Sequence, residues 1–444
     1  MLVQKNSTIN YYRRFNPYGL AKYIVLITGI AMIILIPLDW AFPSGTKASE
    51  LGADEVDRLI PQAIRGAILI LLIVYIGLTG FDPGAYGFIS GRALVLLAAY
   101  MFLSVFFFDN ETTLNLRLQS LAKSMPWMVA AIASYRLTLG GFLSQERIRK
   151  LAGFVVILCA SYTISNCIAN GLVGQNADGS VLLWCIPLLL LARAPFWALS
   201  LSGLAAIAIL MTVKRGSILA LFAGLLFYGI ILISTSSRQH KKRVFIIVAL
   251  ILATMTGGLL WQQENIQYRV DKDNIRGDIG SGRSAFYRVI IEEWYNGNFI
   301  SFLFGKGLLT VPTTLESKYG AKIYAHSDWL EILHDMGVIG ITLFVYLNFR
   351  IITVVISALW KQHAVASALA MGYLIFALRN IYSQCLVETA SDTIYFGLLL
   401  GYSCASLNIM GNQGLRGCEF ADGNRINDNY RLKKVQHAWQ MDEP

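Results

Sequence analysis

Apolar residues run along this chain in blocks, not in narrow stripes. Charge-poor blocks of about 17–25 residues, long enough to cross a bilayer as helices, begin near Tyr23, Ala67, Ala93, Met125, Leu151, Val181, Phe196, Ser217, Val244, Trp329, Ala364 and Thr393. The pattern predicts an all-α polytopic membrane protein of about twelve transmembrane helices. No alternating period suggests a β-barrel. Blocks six and seven are parted only by Ala192-Arg193-Ala194-Pro195, a tight hairpin that is easily mistaken for the middle of one long helix or for a re-entrant pair.

Between the blocks, basic residues alternate in a way that sets topology. With a cytoplasmic N-terminus, the inner loops collect Arg92, then Arg136 with Arg147, Arg149 and Lys150, then Arg193, then Arg238, Lys241, Lys242 and Arg243, then Lys361, then the tail around Arg431, Lys433 and Lys434. Both termini come out cytoplasmic. The outer loops include the acidic stretch of Glu50, Asp54, Glu55 and Asp57, the 109–120 segment and the turn near Glu388 and Asp392. The polar start precedes an apolar block with no small-residue cleavage site, so it reads as a retained first span. Four parts follow: N-terminal transmembrane helices in residues 1–261, one long extracytoplasmic loop in 262–327, C-terminal transmembrane helices in 328–411 and a cytoplasmic tail in 412–444. A connection as long as 262–327 is usually functional or a small domain of its own.

Composition sharpens this without changing it. Hydrophobic residues make up 55% of the 444, charged residues 14%, and mean hydropathy is +0.54, far more apolar surface than a soluble core requires. The net charge of +10 follows from topology, so no nucleic-acid partner is expected. Six cysteines, Cys159, Cys167, Cys185, Cys385, Cys404 and Cys418, show no CxxC spacing and lie mostly in apolar runs; they read as packing residues, with no metal site expected.

Candidate chemistry gathers around 325–340. Asp328 followed by Glu331 reads as a helix N-cap with its reciprocal partner, leading into the apolar run from Val338 to Trp360. His326 then stands just outside a helix N-terminus, where backbone N–H groups and the helix dipole favour phosphate and disfavour an imidazolium. Two positions break the positive-inside pattern: Lys214-Arg215-Gly216, in a short outer turn, and Arg379, near the outer end of span eleven. Arg379 is equally explained by snorkelling to headgroups or by pairing with Glu388 and Asp392. Arg283 has a bland reading too, a loop salt bridge with Asp278 or Glu292. Gly305-Lys306-Gly307 lacks the Lys-Ser/Thr ending and upstream glycine of a phosphate-binding P-loop, so nucleotide hydrolysis is not supported.

Taken together, the turn Lys214-Arg215-Gly216-Ser217, the motif Ser281-Gly282-Arg283, Gly305-Lys306-Gly307, and His326-Ser327 followed after nine residues by Gly337-x-x-Gly340 resemble the O-antigen polymerase and O-antigen ligase superfamily. The resemblance covers mainly residues 211–349. It implies a bacterial inner-membrane glycosyltransferase, active on the periplasmic face without metal or cofactor. The donor would be a glycan on undecaprenyl diphosphate and the acceptor another glycan or lipid A-core, with a chain-length regulator as a possible partner. It assigns His326 as general base, Arg215 and Arg283 as stabilisers of the departing diphosphate, and Lys214, Ser327, Lys306 and Arg379 as substrate-binding residues. A single displacement would invert the anomeric carbon. Polymerase is favoured over ligase; a transporter or flippase is the alternative of another class, against which stand the scarcity of charges within the blocks and the lack of related halves.

Overall fold

The computed structural model describes residues 59–79, 90–107, 114–170, 178–192, 194–212, 214–235, 283–320, 324–383 and 390–419, with isolated positions in 23–28 and 253–263. Most of these residues are helical, and none of them is in a strand. The protein is an all-α polytopic membrane protein, as the block pattern predicts. Ten of the twelve expected spans coincide with described helices; those near Tyr23 and Val244 lie almost wholly outside the described residues.

In chain order the helices are α1 (Leu59–Thr79), α2 (Gly91–Phe107), α3 (Leu114–Ser124), α4 (Pro126–Leu139), α5 (Gln145–Asn170), α6 (Asp178–Leu189), α7 (Phe196–Met211), α8 (Arg215–Thr235), α9 (Arg283–Tyr295), α10 (Phe299–Phe304), α11 (Thr310–Tyr319), α12 (Asp328–Trp360), α13 (Ala366–Tyr382) and α14 (Ala390–Glu419). Among the described residues, four helical stretches are long and apolar enough to cross a membrane: Gln145–Ala169, Arg215–Ser234, Asp328–Trp360 and Asp392–Met410. Shorter apolar helices accompany them, including α6 and α7. The hairpin between these two is a genuine break: Ala192 takes a positive φ of 48° and Pro195 is the N-cap of α7. A proline cannot supply the N–H that a continuous helix needs there.

The 109–120 segment departs from the expected loop. Residues 114–124 form α3, which Arg117 ties back to α2 by donating from Nη1 to Val105 O at 3.0 Å. Pro126 then starts α4, where its missing N–H costs nothing because first-turn N–H groups have no intrahelical acceptor.

Tight packing centres on α14 against α4. Gly397 and Gly401, four residues apart, face Trp127, Ala131 and Ser134 so closely that an added Cβ would strike the carbonyl oxygens of Trp127 and Ala131. Small residues at this spacing let two backbones approach where no hydrophobic effect drives helices together inside a bilayer. Ser134 Oγ adds a hydrogen bond to Leu398 O at 2.9 Å. Alongside lies an aromatic cluster: Phe376 stacks on Phe396 at 4.5 Å between centroids, with Trp127 and Trp184 tilted against both. Cys159, Cys167, Cys185 and Cys404 are free thiols buried in the helices.

Candidate active site

Four helix ends build the site: the starts of α8, α9 and α12 and the end of α13. Helix α12 begins at Asp328, and its N-cap is Ser327, whose side chain makes no capping bond. The N-cap expected at Asp328 therefore falls one residue earlier, and Ser327 and Glu331 do not form the reciprocal pair of a capping box. Buried Glu331 instead accepts from Ala325 N at 2.9 Å, beyond the cap, which closes the chain back over the helix entrance. Between these anchors His326 is forced to φ 56°, the left-handed region. A non-glycine residue held there stores strain of order 1 kcal/mol or more.

The His326 ring sits mostly out of solvent, beside two cations. Burial, then the charges of Arg283 and Lys214, push its pKa from 6.5 down to about 4. The imidazole is thus neutral at neutral pH. Tyr382, at the end of α13, binds the other pieces together. Its main-chain carbonyl accepts from Arg283 Nη1 at 2.7 Å, and its hydroxyl donates to Gly216 O at 3.1 Å, one residue beyond Arg215. Gly216 is glycine for a steric reason: a Cβ would lie 2.8 Å from the Tyr382 ring. Arg215 itself opens α8 with its side chain exposed. Ser327 Oγ donates to Asn380 O at 3.4 Å, so α13 also braces the entrance of α12.

The structure thus gathers His326, Ser327, Lys214, Arg215 and Arg283 around the Tyr382 end of α13. Arg379 lies one turn deeper, 1% exposed, with its guanidinium 5.8 Å from the centre of the Trp184 ring and Nη2 donating to Ser383 Oγ at 3.5 Å. It does not snorkel. A cation over an indole face is stabilised by the ring quadrupole, which offsets part of its desolvation. Lys306 is engaged elsewhere: its Nζ binds Glu293 Oε2 at 3.1 Å, and Lys318 holds the other oxygen at 3.0 Å, clamping α9 to α11.

Behind this entrance the chain is locked by glycine. At Gly337, φ 64° and ψ −162° interrupt α12, and Gly305 lies against the break with φ 88° and ψ −178°. Both conformations belong almost solely to glycine. A Cβ on Gly337 would lie 2.5 Å from Gly305 N and from the Leu303 carbonyl, and one on Gly305 would strike Asp335 O. Carbonyls just before the break take donors from outside the helix: Lys306 N to His334 O at 3.0 Å, Gly307 N to Asp335 O at 2.9 Å, and Tyr100 Oη to Met336 O at 3.1 Å. The motif Gly305-Lys306-Gly307 and the Gly337 position are thus two sides of one contact.

His334 and Asp335 are part of that lock. Thr310 Oγ1 donates to Asp335 Oδ1 at 2.8 Å and lies 3.2 Å from His334 Nδ1, while Leu309 N donates to Asp335 Oδ2 at 2.7 Å. This buried network seats α11 on α12.

The site sets a neutral histidine beside two cations at a helix entrance, on a bundle of apolar helices, an arrangement chemically suited to an anionic substrate. Residues 197–345 match the family described as O-Antigen ligase, a match that supports the resemblance to the O-antigen polymerase and ligase superfamily, a glycosyltransferase-like group of enzymes. The matched stretch holds every candidate residue except Arg379. No curated protein matches the chain.

Proposed function

We propose that this enzyme joins lipid-linked polysaccharide repeat units on the periplasmic face of a bacterial inner membrane, transferring the growing glycan from undecaprenyl diphosphate to a hydroxyl of the next repeat. The observation that carries the reading is the neutral His326 held between Arg283 and Lys214. An acceptor hydroxyl gives its proton to the imidazole as its oxygen forms the bond to the anomeric carbon, and a positioned base of this kind contributes about 10²–10⁴-fold. The carbon–oxygen bond to the diphosphate breaks with its electron pair leaving on the lipid diphosphate. One displacement inverts the anomeric centre, and no metal is assigned a role.

The cations divide the remaining work. Arg283, with Nη1 donated to the Tyr382 carbonyl, is oriented so that its other donors serve the diphosphate; Arg215 and Lys214 add charge from the start of α8, and the N–H groups that open α12 supply a helix-terminal anion site. When the diphosphate arrives, its negative charge offsets Arg283 and Lys214. The His326 pKa then rises from about 4 toward the range in which it is an effective base. Ser327 holds the entrance; Arg379 and Lys306 act at a distance, through the α13 core and the Glu293 clamp.

Two substitutions test the assignment. In His326→Ala, glycan transfer falls by at least the about 10²-fold expected for loss of a general base, while membrane insertion and thermal stability are retained. Normal product from the inserted variant removes His326 from the chemistry. In Arg283→Lys and Arg215→Lys, a point charge replaces a planar fork and transfer falls; full activity in both rules out bidentate recognition of diphosphate.

A further inference from the structure

The turn joining α9 to α10 carries an apolar face that nothing in the catalytic reading uses. Ile291, Tyr295, Phe299, Ile300 and Phe304 are all exposed, Phe299 at 73% and Tyr295 at 71%, and α10 buries no residue at all. This exposure is built, not frayed. Asn298 accepts from Ser301 N at 2.8 Å to cap α10, the Trp294 ring stacks on Phe302 at 4.6 Å, and Trp294 Nε1 donates to Phe302 O at 3.2 Å. Glu293, the acidic group closest to the turn's interior, is drawn off by Lys306 and Lys318. Arg288, Glu292, Asn296 and Asn298 form the exposed polar rim.

Position says what meets this face. Tyr100 Oη on α2 donates to Phe304 O and to Met336 O, each at 3.1 Å, so the end of α10 is pinned to α2 and to the ninth residue of α12, a helix long and apolar enough to cross a membrane. On α2 the neighbouring Phe102, Leu103 and Phe106 are exposed, as are Val345 and Phe349 further along α12. The α10 face therefore continues the outward apolar surface of the bundle. Aromatic residues with a polar rim at such a border are typical of the bilayer interface.

We propose that the α9–α10 turn is a membrane-interface anchor, with Ile291, Tyr295, Phe299, Ile300 and Phe304 seated at the headgroup–acyl boundary of one leaflet. The anchor stands independently of the catalytic assignment. Its consequence for the site is a tether: α9 begins at Arg283, so the anchor at the far end of that helix restrains the element that carries it.

Spin labels on the full-length protein in liposomes decide it. Nitroxides are placed by Phe299→Cys, within the face, and by Lys318→Cys, on α11 outside it, with the unsubstituted protein as background. The anchor predicts that the label at 299 is relaxed several-fold more by lipid-soluble oxygen than by a water-soluble nickel chelate, and that the label at 318 shows the reverse. Equal nickel accessibility at both positions places the face in water and overturns the proposal. Shielding of 299 from both relaxants overturns it as well, since a second copy or a partner protein then covers the face. A variant such as Ile300→Cys, labelled in the same way, repeats the measurement should Phe299→Cys disturb the turn.

Discussion

His326 combines three local conditions: a left-handed backbone, a largely desolvated ring and two cationic neighbours. Desolvation and the two cations both disfavour the imidazolium, and the sign of the pH effect follows. Because the pKa is lowered to about 4, the ring of the free enzyme is neutral at any higher pH and becomes protonated only as pH falls through that value. The profile of kcat/KM is therefore flat from about pH 8 to pH 5 and falls below that. An acid limb centred near 6.5, where an exposed imidazole titrates, would show that the ring is neither desolvated nor flanked by cations. The profile of kcat, which reports the substrate complex, has its acid limb at higher pH, because the bound diphosphate cancels part of the cationic field. At this scale the sequence was informative wherever a residue type is rare in its setting: a histidine beside a helix start, and Lys214 and Arg215 where positive charge is unexpected. Tyr382 and Asn380 were not legible, because an aromatic or an amide at the end of an apolar helix reads as ordinary packing until the chain brings it to Arg283 and Ser327.

Among the elements, α12 shows what a hydropathy pattern conceals. A helix opening at Asp328 reads as leading straight into the apolar run from Val338 to Trp360, yet it breaks at Gly337, where the end of α10 sets Gly305 against it. Nothing local to the run announces this, since the break is imposed by a segment thirty residues upstream. The capping box does not form for a related reason: Glu331 satisfies Ala325 N, which belongs to the strained turn around His326, and not the helix cap itself. The contact between Gly305 and Gly337 gives a sharp expectation. Gly337→Ala adds a Cβ 2.5 Å from Gly305 N at a φ of +64°, combining overpacking with backbone strain, at a cost of about 2–3 kcal/mol. Gly305→Ala, whose Cβ meets Asp335 O across the same contact, costs a similar amount. Since either change is relieved by moving α10 off α12, the double variant loses less than the two single losses added together. Thermal unfolding in detergent reads this directly, and strict additivity would mean that the glycines do not share one contact.

For the whole molecule, helix content, membrane residence and the places of most described helices were legible from block length alone, because a bilayer demands about twenty apolar residues per crossing whatever the tertiary packing. Orientation rests on basic loops, several of which, such as 238–243 and the C-terminal tail, lie outside the described residues. It also decides on which side of the membrane the transfer takes place. An alkaline-phosphatase fusion near Tyr319 is expected to be active and one at Lys242 inactive; the opposite pattern would place the site in the cytoplasm. The acceptor is a separate question, because polymerase and ligase share a donor, a base and a leaving group. They differ in what accumulates when transfer stops. If this enzyme joins one lipid-linked repeat to another, a strain lacking it builds up single repeats on undecaprenyl diphosphate or carries single repeats on its surface acceptor, with long chains absent. If it moves finished chains to lipid A-core, the same strain holds long polymer on the lipid carrier above a bare core. In the described part of 262–327, Glu293 lies between Lys306 and Lys318, and this mixture of charge, unlike a run of cations awaiting a strongly anionic core, is the basis for expecting the first outcome. Electrophoresis of the deletion strain's lipid-linked glycans separates the two, and long chains on the carrier would convert the assignment from polymerase to ligase while leaving the roles of His326, Arg215 and Arg283 unchanged.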